Sequence, residues 1–276
     1  MKYLVLGSAG QIGASLTTYL KKLNHTVLTF DNVTNGAEDL RQVNNQLLAE
    51  RMQQADFVFF LAFDVGGSRY LKTYQHTFDF VSNNVKLMDN TFDLLKATQK
   101  PFIFASSQMS NMSYSPYGQL KALGETYTKI LNGLTVKFWN VYGVEHDMEK
   151  SHVITDFILK AKNNRIIDMM TDGTEQRQFL YADDCSECLL KLSQMYNEVT
   201  RNQELHITNF KWNTILEVAN IIAQMYPGTI ILPANHIDDV QKDKRNEPDP
   251  SILNYWQPKT ELEDGIRLIS ESMATA

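Results

Sequence analysis

Cysteine is nearly absent: the 276 residues contain only Cys185 and Cys188. That excludes a disulfide framework and makes a reducing cytoplasm the expected compartment. The pair reads C-x-x-C, but no second Cys or His pair completes a zinc site, so no metal is expected. It follows Asp183-Asp184 in a helical pattern and reads as two small buried thiols. A basic excess is also missing. Lys and Arg number 26 against 32 Asp and Glu, a net charge of −6, which leaves no field to gather nucleic acid. No apolar run approaches the length of a membrane span, and the short run ending at Gly7 is followed by no cleavage site, so no membrane partner and no signal peptide are expected. Internal repeats and low-complexity segments are absent too. What remains is an ordinary globular composition, 43% hydrophobic and 21% charged.

The first half alternates short apolar runs with longer amphipathic ones. Strands are predicted at 2–7, 26–31, 56–62, 101–107 and 134–140. Helices are predicted at 11–23, 73–97 and 115–131, the last capped by Ser115 with Pro116 in its first turn. This alternation predicts an α/β fold: a doubly wound, Rossmann-like parallel sheet with helices on both faces. After about residue 143 the pattern loosens. Helices are expected at 152–163, 183–195, 214–226 and from 260, and strands near 166–168, 204–208 and 229–233. Residues 236–251 are polar and proline-bearing and read as a long loop, often a functional one. The expected organisation is a dinucleotide-binding domain of 1–143 plus part of 183–208. A small C-terminal α/β substrate-binding lobe would take roughly 144–182 and 209–276.

The first strand runs into Gly7-Ser8-Ala9-Gly10-Gln11-Ile12-Gly13. Gly7 permits a tight turn, Gly10 lets backbone approach a pyrophosphate, and Gly13 lets the helix pack close to the sheet. The helix start at Gln11 and Ile12 offers unpaired N–H groups and the positive dipole end. Three such glycines are a weak signal alone. Their place within a strand–turn–helix–strand unit is what strengthens it. Asp31 ends the second strand. Its carboxylate suits the ribose hydroxyls of NAD and would repel the extra phosphate of NADP, so NAD is the expected cofactor. It can equally cap the turn that follows.

Tyr117 and Lys121 lie four apart on a predicted helix and share a face. A phenol is a poor base at neutral pH, and a neighbouring ammonium would favour its phenolate. Such a tyrosine can take a proton from a sugar hydroxyl as hydride leaves the same carbon. Ser106 or Ser107, at the end of the fourth strand, can hydrogen-bond the same oxygen. Y-x-x-x-K alone usually marks a wet helix face. Here it follows a Ser-Ser strand end and a nucleotide turn.

Together these segments resemble the extended short-chain dehydrogenase/reductase family, in its nucleotide-sugar epimerase and dehydratase branch. Gly7, Gly10 and Gly13 resemble the cofactor turn, and Phe60-Leu61-Ala62 the strand end beside the cofactor. Asn84 resembles a largely structural helix asparagine. Ser107, Tyr117 and Lys121 resemble the catalytic set, Lys121 also holding the nicotinamide ribose. Asn140, in KFWNVYG, resembles an asparagine near the substrate diphosphate. Arg177, in GTEQRQFLYADD, resembles an arginine that contacts that diphosphate. Arg245 and the WQPKT tail resemble the C-terminal substrate loop. The resemblance implies NAD, a nucleotide-diphosphate-sugar substrate, and a homodimer formed through the helices at 73–97 and 115–131. Asp183 and Asp184 read as caps of the following helix.

Departures narrow the reaction. Only nine residues separate Ser107 from Tyr117, shorter than in the usual sugar epimerase. Asp64-Val65-Gly66-Gly67 resembles the glycine pair of GDP-sugar epimerases and synthases. Gln108-Met109 stands where dehydratases carry an acid pair. Asp64, His76 and His146 are candidates for extra acid–base groups, each also an ordinary loop residue. The expected activity is redox-neutral epimerisation through a transient keto-sugar. The alternatives are a nucleotide-sugar reductase, dehydrogenase or dehydratase, and a binding protein of the same fold without catalysis.

Overall fold

The computed structural model describes residues 1–145, 147, 149–238 and 246–275. The first half comprises β1 (Lys2–Leu6), α1 (Gln11–Lys22), β2 (Thr26–Phe30), α2 (Gln46–Gln54), β3 (Phe57–Phe60), α3 (Ser68–Tyr74), α4 (Phe78–Thr98), β4 (Phe102–Ser107), α5 (Pro116–Ile130) and β5 (Leu134–Phe138). The second half adds β6 (Asn140–Tyr142), α6 (Val153–Asn164), β7 (Ile166–Asp168), β8 (Gln176–Arg177), β9 (Phe179–Tyr181) and α7 (Ala182–Gln194). It ends with β10 (His206–Ile207), β11 (Asn213–Thr214), α8 (Ile215–Met225), β12 (Ile230–Leu232) and α9 (Leu262–Thr275).

A six-stranded sheet runs β10-β5-β4-β3-β1-β2, every pair parallel. The central strands β1 and β3 are nearly continuous apolar runs because both faces are covered. Tyr3, Val5, Phe57, Phe59 and Ile103 pack with Leu16 and Leu20 of α1 and Leu189 of α7. Alternate residues Leu4, Leu6, Val58, Phe60 and Phe104 pack with Phe92 and Leu95 of α4 and Leu120 of α5. This period of two places successive side chains in opposite layers. From β1 the chain moves one way to β2 and the other way to β3, β4 and β5. The reversal opens a crevice at the carboxyl ends of β1 and β3, where sheets of this type bind ligands.

A third core, built by Tyr142, Phe157, Ile158, Ile167, Phe179, Ile222 and Ile266, joins α6, α8 and α9 to two small two-stranded sheets, β6-β9 and β12-β7, while a further one, β11-β8, leads into α8. It forms the small C-terminal lobe. Residues 182–194 and 206–207 return to the main sheet, α7 against α1 and β10 beside β5.

Several local expectations are corrected. The single helix expected at 73–97 is two, α3 and α4, because Thr77 leaves helical geometry and its hydroxyl accepts from Phe80 N at 3.3 Å. The helix α2 was not foreseen. Its face is mostly Gln, Glu and Arg, and its clearest mark is Asn45, which caps Leu48 N. The strand expected at 134–140 stops at Phe138, and Asn140 instead begins β6 in the lobe. The cap of α7 is Tyr181, not an aspartate. Asp184 is buried and accepts from Lys259 N at 2.9 Å and Thr260 N at 2.7 Å, so it anchors the C-terminal WQPKT segment to the core. Cys185 and Cys188 are buried free thiols, as their helical setting suggested.

Candidate nucleotide and catalytic site

Three backbones meet at the carboxyl end of β1. Gly7 has φ +84°, and a Cβ there would lie 2.7 Å from Ala62 N and Cα. A Cβ on Gly13 would lie 2.0 Å from the Gly7 carbonyl oxygen. Only glycine fits either position. A Cβ on Gly10 would meet nothing nearer than that carbonyl oxygen, at 3.4 Å, so this glycine keeps its outer face clear for a ligand. The amino end of α1 points into the same space. Gln11 closes the turn from the side: its amide oxygen faces Gly143 N at 2.8 Å and its nitrogen faces Val141 O at 3.3 Å.

A cavity of about 960 Å³ extends from this turn across the ends of β1, β3 and β4. It is lined by every residue read as cofactor-binding, Gly7, Gly10, Gln11, Ile12, Gly13, Asp31, Leu61 and Ala62, and also by Ser107, Tyr117, Lys121 and Asn140. At one end, Asp31 Oδ2 accepts from Ala9 N at 2.9 Å and Oδ1 from Val33 N at 3.0 Å. The turn-capping reading of Asp31 therefore holds, and its carboxylate keeps further lone pairs open to other donors. Glu38, buried beside it, accepts from Asp31 N at 2.9 Å and adds a second carboxylate that the sequence did not announce. Arg41 also lines the cavity, but its guanidinium grips Asp39 through Nε and Nη2 and holds that carboxyl below its ordinary range.

At the other end, Tyr117 and Lys121 project from α5 and both are buried. Lys121 Nζ donates to Ala105 O at 2.6 Å and sits 3.7 Å from the Phe63 ring centroid. Burial pulls its pKa down to about 7, against the opposing carboxylate of Glu125. Burial likewise pushes Tyr117 up to about 12, with a hydrogen bond from Ser107 acting the other way. The expectation that the ammonium would lower the phenol is thus corrected. The apolar walls outweigh it, and the pair by itself stores a proton on the tyrosine. The two serines also separate. Ser106 donates to Glu125, whereas Ser107 turns toward Tyr117 and accepts from Met109 N at 3.1 Å.

A smaller cavity of about 130 Å³ adjoins the first, and Asn140, Val141, Ser68 and His152 line both. Arg177 lines the smaller one. Its Nη2 pairs with Asp238, a partner distant in sequence, and both side chains are largely buried. Arg245 and His146 lie outside the described residues. His76 is exposed and lines neither cavity. Asp64 is clamped by Tyr70 OH at 2.6 Å and Lys150 Nζ at 3.1 Å. Burial raises its pKa, but these partners prevail and hold it below the ordinary carboxylate range, which suits a fastener better than an acid. Gly66 and Gly67 serve the same junction, since a Cβ on Gly67 would lie 2.5 Å from Ser151 O. Asn84 is fully buried and bridges Asp64 N, Asp64 O and Phe80 O, a structural role as expected.

His152 was missed. Its Nδ1 meets Glu145 Oε1 at 2.6 Å and its backbone N meets Oε2 at 2.9 Å, forming a dyad at the mouth between the cavities. The two residues stand seven apart in a loop without periodicity, so no sequence pattern joined them.

The family model for the NAD dependent epimerase/dehydratase family matches residues 3–208. The chain belongs to that family. It is 25% identical to a putative UDP-glucose 4-epimerase of Methanocaldococcus jannaschii, over 96% of each chain. It is 30% identical to a GDP-L-fucose synthase of Sinorhizobium fredii, over 49% of this chain and 45% of that one. The solved structure of the epimerase Mth375 from Methanothermobacter thermautotrophicus superposes with a TM-score of 0.83 at 18% identity, covering 99% of this chain and 92% of that one. The fold is therefore shared with Rossmann-type epimerases.

The depressed pKa of Lys121 has a consequence for stability. Between about pH 7 and 10 the unfolded chain holds a proton on this lysine that the folded chain lacks, so this site's contribution to stability rises with pH there. Above pH 10 the raised Tyr117 reverses the slope, because the unfolded phenol then loses a proton that the folded one keeps. Urea denaturation of the cofactor-free protein at about pH 7.5 and 9.5 should show the stability of the wild type rising relative to that of Lys121→Met, a comparison in which the opposing contribution of the buried Cys185 and Cys188 thiols cancels. An unchanged difference between wild type and variant across the two pH values would contradict the assignment.

Proposed function

We propose that this protein is an NAD-dependent nucleotide-sugar epimerase that inverts a sugar carbon through a transient keto-sugar. The observation that carries the reading is that Ser107, Tyr117 and Lys121 line the same cavity as the glycine turn. The residues fit the cofactor. Gly10 leaves room for a pyrophosphate, the start of α1 supplies N–H donors, and Asp31 with Glu38 suits ribose hydroxyls. These two carboxylates, with Arg41 committed to Asp39, favour NAD over NADP. When bound, NAD accepts and returns hydride at the sugar carbon and brings a positive ring toward the phenol.

Tyr117 takes the proton of the reacting hydroxyl and later restores it. Ser107 holds the same oxygen, and Lys121 favours the charged phenolate while holding the cofactor's ribose. Asn140 and Arg177 receive the diphosphate, for which Asp238 must yield its place on the guanidinium. Against the dehydratase alternative, the position where that branch carries its acid is Gln108, buried at the cavity, whose amide oxygen accepts from Asn246 Nδ2 at 2.6 Å. A division of labour follows, with the main sheet holding cofactor and the small lobe holding the nucleotide.

One observation favours a second reading, net reduction of a keto-sugar nucleotide. The Glu145–His152 dyad supplies an acid–base group suited to proton exchange at the carbon beside a keto group, a step that can precede its reduction and that hydride exchange at a single carbon does not need. Steady consumption of added NADH or NADPH would decide for it.

For the proposed epimerase, Tyr117→Phe should lower turnover roughly a hundredfold to ten-thousandfold while the protein retains NAD, read by chromatography of the sugar products. Undiminished turnover would rule out the tyrosine as the base. We also infer a homodimer through α4 and α5, which leave Val81, Val85, Leu123 and Ile130 exposed. Light scattering should give a dimeric mass for the wild type and a monomeric one for Val85→Arg/Leu123→Arg. A monomeric wild type would reject the interface.

A further inference from the structure

Lys121 and Glu125 stand one turn apart on α5 and are moored to successive residues of β4. Lys121 Nζ donates to Ala105 O at 2.6 Å, and Glu125 Oε1 accepts from Ser106 Oγ at 2.5 Å. Ser106 lies two residues after Phe104, whose ring presses on Gly124 of α5, and pairs in register with Lys137 of β5. All three side chains therefore leave the sheet on the α5 side. The Glu125 carboxylate thus sits where α5, β4 and β5 meet, and its side chain is only 24% exposed. Neutralising Lys137 does not account for it. Lys137 Nζ already donates to Glu204 Oε1 at 2.5 Å, and Glu204 Oε2 in turn meets His206 Nε2 at 2.7 Å. Glu125 Oε2 lies 3.7 Å from the same ammonium, beyond hydrogen-bond reach. Lys121 has the greater need. It is buried on a carbonyl and the Phe63 ring, a setting that favours the neutral amine, and Glu125 is the charge set against that burial.

We propose that Glu125 is a positioning residue of the reaction: held by Ser106 beneath the Tyr117–Lys121 pair, its carboxylate keeps Lys121 an ammonium, the form that favours the phenolate. This deepens the proposed function and rests on it. A neutral amine can still donate to Ala105 O, so α5 would keep its place while Tyr117 lost the charge that helps it ionise. The charged and titratable groups that bear on Lys121 are few. Tyr117 and Glu125 come from α5, and Lys137 comes from β5 with its own charge matched by Glu204. From β4 come the uncharged Ser106 and Ser107, and from the loop after β3 the Phe63 ring.

Magnetic resonance of the full chain carrying lysine labelled with carbon-13 at Cε tests the inference. The signal missing from Lys121→Met belongs to Lys121. In the cofactor-free wild type it should titrate at about pH 7. In Glu125→Gln its midpoint should fall by about one pH unit or more, a roughly tenfold weaker hold on the proton, and Glu125→Asp should restore most of the loss. Ser106→Ala unmoors the carboxylate and keeps its charge, so it should give a smaller fall, and it decides the matter if Glu125→Gln fails to fold. The same sign should appear in turnover of nucleotide-sugar by the NAD-loaded enzyme. Glu125→Gln should improve relative to wild type as pH drops from about 8 to 6, because acid returns the proton to Lys121. A merely structural loss would cut turnover equally at both. An unchanged midpoint in Glu125→Gln, or in Ser106→Ala where that is the folded variant, or a turnover ratio independent of pH, would overturn the role of Glu125 and leave the epimerase reading standing. A wild type that gives no epimerised product from a panel of nucleotide-sugars would overturn that reading and this role with it.

Discussion

Side chains are excluded where the Gly7 carbonyl presses against Gly13 and the Ala62 backbone closes on Gly7. This contact brings the end of β1, the start of α1 and the end of β3 within van der Waals reach. Everything else at the site is placed relative to it. It aims the amino end of α1 into the crevice, and Ala9 N then reaches back to Asp31 at the end of β2. The parallel sheet extends the same edge to β4 and β5, so Ser107 and the face of α5 carrying Tyr117 and Lys121 open onto one cavity. A displaced helix α1 would lose the N–H groups aimed into the crevice and distort the wall opposite the phenol at once.

The acid–base character of the site follows from burial more than from the neighbouring charge. The apolar setting of Phe63 and Phe104 around Lys121 makes its ammonium costly, and the same walls keep the Tyr117 phenol protonated. In the proposed reaction a positive ring entering the cavity would shift that balance toward the phenolate, so that the base would be populated when the cofactor stands ready to receive hydride. The second cavity completes the division of the site. A mouth shared by Asn140 and His152 leads to Arg177, whose present partner Asp238 keeps the guanidinium oriented without leaving a bare buried charge.

The main sheet, the helices α1, α4, α5 and α7 and the glycine turn could be read from the sequence because each has a local signature. Short apolar runs marked β1 to β5, amphipathic runs marked the helices between them, and the glycines and the Tyr–Lys spacing marked one edge. What escaped was built from contacts distant in sequence. Asp184 looks like a helix cap until Lys259 and Thr260 arrive 75 and 76 residues later. The Glu145–His152 dyad and the Arg177–Asp238 pair likewise depend on loops folding against each other. The direction of the Lys121 and Tyr117 shifts escaped as well, since burial is a property of the packed layers and four residues of helix do not contain it. The small strands β6, β8, β9 and β11 have at most three residues each and carry no periodic signal.

The proposed chemistry places a base, a hydroxyl-holding serine and a hydride acceptor at one sugar carbon. Stopped-flow absorbance near 340 nm, on NAD-loaded protein mixed with a panel of nucleotide-sugars, observes that coincidence directly. The account predicts a transient rise as the cofactor is reduced, followed by decay with no net reduced cofactor once the sugar has equilibrated. Formation of an epimerised product with no absorbance change, with or without Tyr117, would contradict it.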